Sequence, residues 1–364
     1  TVVTLQLASS QFSPRLLRTF TSDVFVQATL GLFLGTFTYS LTVLRSVRSP
    51  ADSGGTQFVP RLSVTVGFVL ALASVVGLVL FLAHLARQIR VETMLRDVHD
   101  DATATAAAVV GPLADAEPRP PVPVPPDTAV VLTAPSSGFL VRIDEKALFT
   151  AAVQADVVVH IDRYPGASLI EGTPIGSAWS GSGPVSEQAR DALRAAISRA
   201  VHVGYERTAA QDIGYGLRQL TDVANKALSP GINDPTTAVH ALGHISALLC
   251  DLAGRDLRPV LHSDDSGVRV VLQRPDLADL LDVAVTQPRR YGASDPQVLD
   301  RLFRLLGELA WHAPDEPAIA GQLARLRATV DGADLDDTEK RQLAGAGLGV
   351  ERALRDSRAR PSTS

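Results

Sequence analysis

Two uninterrupted apolar runs dominate the hydrophobic pattern of this chain. From Val24 to Leu44 there are 21 residues without a charged side chain, and from Leu62 to Ala83 there are 22 more. Each is long enough to cross a hydrocarbon core of about 30 Å as a helix, and neither carries the polar stripe of a helix packed on a protein surface. The stretch Thr1 to Phe12 is also free of charge before it meets Ser13, Pro14 and Arg15, the pattern of a third span whose beginning is cut away. Residue 1 is a threonine and the single methionine is Met94, so further chain is expected before residue 1. Arg15 and Arg18 with Arg87, Arg90 and Arg96 flank the spans on one side, against Arg45, Arg48 and Arg61 on the other. Five against three places the C-terminal part in the cytoplasm.

Within the first run Gln27, Gly31, Gly35, Thr38 and Thr42 recur at helical spacing, and Ser63, Gly67, Ala71 and Ser74 do so in the second. Small residues let helices approach closely in lipid. The polar members of the first stripe also suit a path through an oligomer. After Ala83, residues up to about 111 alternate charge with Leu85, Ile89 and Met94, which predicts a helical stalk. Six of the nine residues from Pro118 to Pro126 are proline, an extended, semi-rigid spacer that places a linker over 112–127.

Beyond the linker, residues 128–183 are rich in β-branched positions cut by Gly and Pro-Gly turns, with a helix expected at EKALFTAAVQAD. Residues 184–355 are helical by their three-to-four spacing, with caps expected at Ser186, Asp212 and Asp234 and one short β pair at RPVLHS and GVRVVLQR. Residues 356–364 are expected to be a disordered tail. The predicted fold class is an α+β membrane protein: an N-terminal transmembrane helix bundle and stalk (1–111), a small β domain, then a mostly α-helical domain.

Composition narrows the function. Hydrophobic residues make up 46% and charged residues 20%, which excludes a disordered polyelectrolyte. A net charge of −5 argues against a nucleic-acid partner. One cysteine, Cys250, permits no internal disulfide and no Cys-based zinc site. His240 and His244 share a helical face but lack the HExxH glutamate, so no metal is expected. GxSxG and P-loop motifs are missing, and neither Gly214 with Gly216 nor GAGLG at 345–349 sits in a dinucleotide-binding context. Nothing asks for an enzyme or a cofactor. The carboxylates Asp264, Asp265, Asp279 and Asp282 read as a turn and a helix surface.

Four strings, QLASSQFSPRLL (6–17), QATLGLFLGTFTYSLTVLRSVR (27–48), FVPRLSVTV (58–66) and above all GYGLRQLTDVANKALSPGINDPTTAV (214–239), resemble the bacterial predicted membrane proteins grouped as domain of unknown function 2254. The resemblance runs from residue 1 to about 310 and implies a bacterial inner-membrane location and four spans in the full protein, of which the first and part of the second would lie outside this chain. The family lends no activity. SGFLVRI and YPGASLIEGTPIG also resemble the barrel-sandwich hairpins of biotinyl and lipoyl domains, without a lysine at a hairpin tip to carry a group.

In ALSPGINDPTTA, Ser229 and Pro230 end one helix, Gly231 supplies a free backbone, and Asp234 caps the next helix with Pro235 in its first turn. The same helix start, with Asn233, Thr236 and Thr237, suits a small anionic ligand. Arg218, Asp222, Asn225 and Lys226 lie on adjacent faces of the preceding helix and either pair locally or point at that loop. Three functions follow as expectations: a homo-oligomeric channel or transport-like protein lined by the Gln27 stripe; a membrane-anchored ligand-binding or scaffold protein that uses the Arg218–Thr237 region; and, with least support, an enzyme acting on a lipid-borne or small anionic substrate near Arg218 and Asp234.

Overall fold

The computed structural model describes residues 24–46, 61–88, 91–181 and 183–359, in two compact units divided between Met94 and Leu95. The opening segment expected to end a span lies outside the described residues.

In the first unit, α1 (Val24–Ser46) and α2 (Arg61–Gln88) form an antiparallel hairpin. Both are long and apolar enough to cross a membrane, and only 11% and 6% of their apolar windows are buried. The seam between them includes polar groups, each with a partner at hand. Ser74 Oγ donates to Thr36 Oγ1 at 2.9 Å, and the Tyr39 hydroxyl donates to Ser63 O at 3.2 Å. Gly67 lies against the Tyr39 ring and Gly77 against Leu32. The Gln27 stripe is elsewhere: nothing stands within 4 Å of where Cβ atoms on Gly31 and Gly35 would lie, and Thr38 and Thr42 donate to the carbonyls of Leu34 and Thr38 one turn back.

The second unit begins inside α3 (Val91–Val109). The expected stalk is a core element from Leu95 onward, with Leu95, Ala102 and Ala106 buried. The expected spacer is also docked. Leu113 N donates to Gly254 O at 2.8 Å, and Arg119 pairs with the buried Asp256 at 2.7 Å while donating to Pro259 O.

Two sheets follow. Strands β1 (Val130–Thr133), β2 (Gly138–Ile143), helix α4 (Glu145–Gln154), β3 (Val158–Ile161), β4 (Ser168–Leu169), β5 (Pro174–Trp179), helix α5 (Glu187–Ala200) and β6 (Val201–Gly204) fill the region after the linker. Residues 201–204, which the sequence reading placed in a helix, leave it at Ala200 because the Val-His-Val triplet pairs with β2. The chain continues through α6 (Tyr215–Ala227), α7 (Pro235–Ala253), β7 (Val260–Asp264), β8 (Gly267–Leu272), α8 (Leu277–Tyr291), α9 (Pro296–His312), α10 (Pro317–Gly332) and α11 (Asp337–Arg358). Arg358 still belongs to the last helix, where a tail is expected from 356 on; residues 360–364 of that segment lie outside the described residues.

One sheet runs β1-β5-β3-β8-β7 and the other β4-β2-β6. Strand β8 lies parallel to β3, pairing Val159 with Val270 and Ile161 with Leu272. The short β pair expected within the helical region therefore completes the sheet of the β region. Leu140, Leu148, Ile161, Ile175, Leu193 and Val270 share its core. Among the helices α7 is central, packed between α6 and α9, with Leu242, Ile245, Leu248 and Leu249 fully buried.

Where α3 crosses α6, Gly216 presses on Ala102 so closely that a Cβ would overlap the Ala102 methyl. Helix propensity alone predicts that Gly216→Ala stabilises α6 by about 1 kcal/mol. The crossing reverses the sign, so the variant should lose about 1–3 kcal/mol in urea denaturation followed by the fluorescence of Trp179 and Trp311, both in this unit.

Hydrogen bonds from Arg258, with the Arg119 charge, hold the Asp256 carboxyl below its ordinary value. A lowered carboxyl contributes stability that is complete above the ordinary carboxylate range and lost as pH falls through the lowered value. Hydrogen exchange at the Leu113 amide, measured relative to its intrinsic rate at each pH, should stay slow from neutral pH to about pH 4 and quicken only below it. In Asp256→Asn it should be fast at neutral pH.

Candidate functional site

The SPGINDPTTA loop is closed by its own bonds. Asp234 caps α7, taking the Thr237 amide at 3.0 Å and the Thr237 hydroxyl at 2.6 Å, and these hold its carboxyl below the ordinary value. Ser229 donates to Lys226 O, and Asn225 donates to Gln287 Oε1 on α8 at 2.7 Å. The left-handed residue of the turn is Asn233, φ 50°, where the sequence reading gave the backbone freedom to Gly231. Pro235 and Thr236 occupy the first turn of α7. Asp222 lies on α6 and has a partner of its own.

Arg218 alone of the expected ligand-binding residues lines a cleft of about 510 Å³. Three stretches of the second unit build it: the loop after β3, the segment from Arg207 into α6, and the start of α8. Its floor is an ion pair. Arg207 Nε and Nη2 both donate to Asp212 Oδ2, at 2.8 and 2.6 Å, while Asp212 Oδ1 accepts from Gly214 N at 3.1 Å. The Asp212 side chain is 2% exposed and that of Arg207 15%. Asp212, expected as a helix cap, is thus the buried anion of a pair, and α6 starts from Gly214 without a side-chain cap.

Gly166 lies over this pair with φ 94°, and a Cβ there would overlap the Asp212 carboxylate. Glycine meets both demands, a left-handed backbone and close approach. Burial pushes the Asp212 carboxyl above its ordinary value against the pull of Arg207. Burial and the neighbouring Asp276 push Asp279 up, and burial and Asp279 push up the Tyr164 phenol. Raised groups of this kind concentrate at functional sites.

A furrow of about 540 Å³ beside the docked proline segment is comparable in size. Its arginines are already engaged: Arg119 binds Asp256, and Arg274 donates to the carbonyls of Val109 and Asp256. No group of three His, Cys, Asp or Glu among the described residues is arranged to hold a metal. His244 instead packs against His99, with ring centroids 5.4 Å apart and the planes tilted by 59°. Burial pushes the Cys250 thiol to about 11, so it is protonated at neutral pH and is no nucleophile.

Sequence reasoning missed Arg163, Tyr164, Arg207 and the buried role of Asp212, and it read Asp279 as helix surface. These residues come from separate elements, and only the fold brings them together. The one available signal was the YPGAS turn, whose glycine the sequence reading took only as a break between strands.

A hairpin of two long apolar helices together with a folded unit of two sheets and a helical layer defines the class, a protein of apolar N-terminal helices and a large mixed α/β unit. The chain belongs to the predicted membrane protein family called domain of unknown function 2254, whose profile matches residues 1–308. Helices α10 and α11 follow the matched region. An uncharacterized protein of Mycobacterium bovis is 35% identical over 356 residues, covering 95% of this chain and 67% of the relative. Uncharacterized proteins of two strains of Mycobacterium tuberculosis are 35% and 36% identical over the same shares. No solved structure matches the chain.

Asp212→Ala leaves the Arg207 guanidinium buried without its counter-charge. The second unit should lose about 3–5 kcal/mol, read as a fall in the urea midpoint of tryptophan fluorescence.

Proposed function

We propose that the protein is a membrane-anchored ligand-binding protein: the apolar helices hold it in a bacterial inner membrane, and its C-terminal unit, on the cytoplasmic side, binds a small polar molecule. The observation that carries this reading is the cleft floored by the Arg207–Asp212 pair. Its volume lies within the range of about 300–1,000 Å³ typical of small-molecule sites. A buried ion pair is weak evidence for stability, whereas a fixed charge pair at the base of an open cleft suits orientation of a ligand.

The arginine balance around the apolar runs supports the cytoplasmic assignment. A second reading, self-association in the membrane into a homo-oligomer with a channel, draws on the face of Gln27, Gly31 and Gly35, which α2 leaves uncovered. The threonine hydroxyls expected to line a path are spent on their own helix, so the cleft takes precedence.

The test is thermal denaturation of the full chain in lipid nanodiscs with a protein-free small-molecule extract of bacterial cytosol. Wild type should gain several degrees, as expected for ligand binding to the folded state. Ala278→Trp, which fills the cleft, should gain nothing. An extract that leaves the wild-type midpoint unchanged, or shifts both proteins equally, contradicts the reading.

A further inference from the structure

Around the rim of the cleft, two opposite charges have not closed on each other. Arg163, in the loop after β3, makes no hydrogen bond or ion pair with the described residues, although it lines the cleft. Asp279, in the first turn of α8, gives only its backbone amide, to Asp276, and its carboxyl meets no cation among the described residues. The other charged side chains that line the cleft have partners: Asp162 lies 3.6 Å from His160. Asp282 accepts from Thr286, Gln322 and Arg325, Arg207 holds Asp212, and Arg218 has a partner of its own.

An arginine and an aspartate that line one cavity from different elements, each without a counter-ion among the described residues, fit a molecule that carries both charges. A purely anionic ligand would leave Asp279 facing added negative charge beside Asp276. A purely cationic one would leave Arg163 unanswered. Tyr164, half-buried in the wall, offers a hydroxyl and a ring face to an ammonium group. Ala167, Ala278, Leu280 and Val283 add apolar lining to the same cleft, a place for a side chain.

We propose that the cleft binds a small zwitterion, a free α-amino acid, with its carboxylate at Arg163 and its ammonium at Asp279 beside Tyr164. This rests on the ligand-binding reading of the same cleft and names its ligand class. Burial, then the neighbouring Asp276 and Asp282, raise the Asp279 carboxyl, and a bound ammonium would offset the repulsion from those two carboxylates.

The test uses isothermal titration of the full chain in nanodiscs with each of the common amino acids. For any that binds, its N-acetyl and amide derivatives follow, with inorganic phosphate and spermidine as single-charge probes. At least one free amino acid should bind, and loss of either of its charges should weaken binding about tenfold or more, the scale of one charged hydrogen bond. Asp279→Asn should weaken the free amino acid and leave its N-acetyl form unaffected. Arg163→Gln should weaken the free amino acid and leave its amide unaffected. Neither side chain holds the fold, so both variants should keep the wild-type denaturation midpoint. Binding of phosphate or spermidine alone overturns the zwitterion and leaves the cleft as a site of another class. If the cytosolic extract shifts wild type but no amino acid binds, the ligand class falls and the site stands; if the extract also fails, both fall.

Discussion

The ion pair between Arg207 and Asp212 is the constraint around which the second unit is arranged. It sits where the chain leaves β6 and enters α6, under the loop after β3 and beside α8. Removing a carboxylate and a guanidinium from water costs several kcal/mol per ion unless their hydrogen bonds are met. Here two guanidinium nitrogens and the Gly214 amide meet them. Gly166 then has to be a glycine, because the loop passes so close to the carboxylate that no side chain fits. One charged contact thus sets the path of the 204–214 segment, the residue at 166 and the floor of the cleft.

The same unit shows how covalent order and spatial order part company. The sheet takes β8 from between two helical stretches and lays it parallel to β3. The segment before the proline run returns to Gly254 and Asp256. Helix α3 fills a groove over Gly216. The β and helical regions that the sequence separates near residue 183 are therefore joined through the β3–β8 pair, and the linker and α3 are part of the same fold.

Local chemistry made much of this legible beforehand. Unbroken apolar runs gave α1 and α2, Ser186 and Asp234 cap helices as their types demand, and the SPGINDPTTA string pointed to the family. What stayed hidden depends on distant partners. Val201–Gly204 looks helical until β2 pairs with it. Asp212 looks like a cap until Arg207 is seen beside it, and the prolines look like a spacer until Arg119 meets Asp256. In the hairpin, small residues occur on several faces of α1. The one chosen for contact, Leu32, Thr36 and Tyr39, is settled by its fit against Ser63, Gly67, Ser74 and Gly77.

The most direct measurement of the central claim is a double-mutant cycle on the pair: Arg207→Ala, Asp212→Ala and the combined variant, each unfolded in urea with Trp179 and Trp311 as reporters. The account predicts a coupling energy above about 1 kcal/mol, within the span for residues sharing one ion pair, and a double variant less impaired than the sum of the singles. Strictly additive losses would show that the two charges do not depend on each other and would contradict the account.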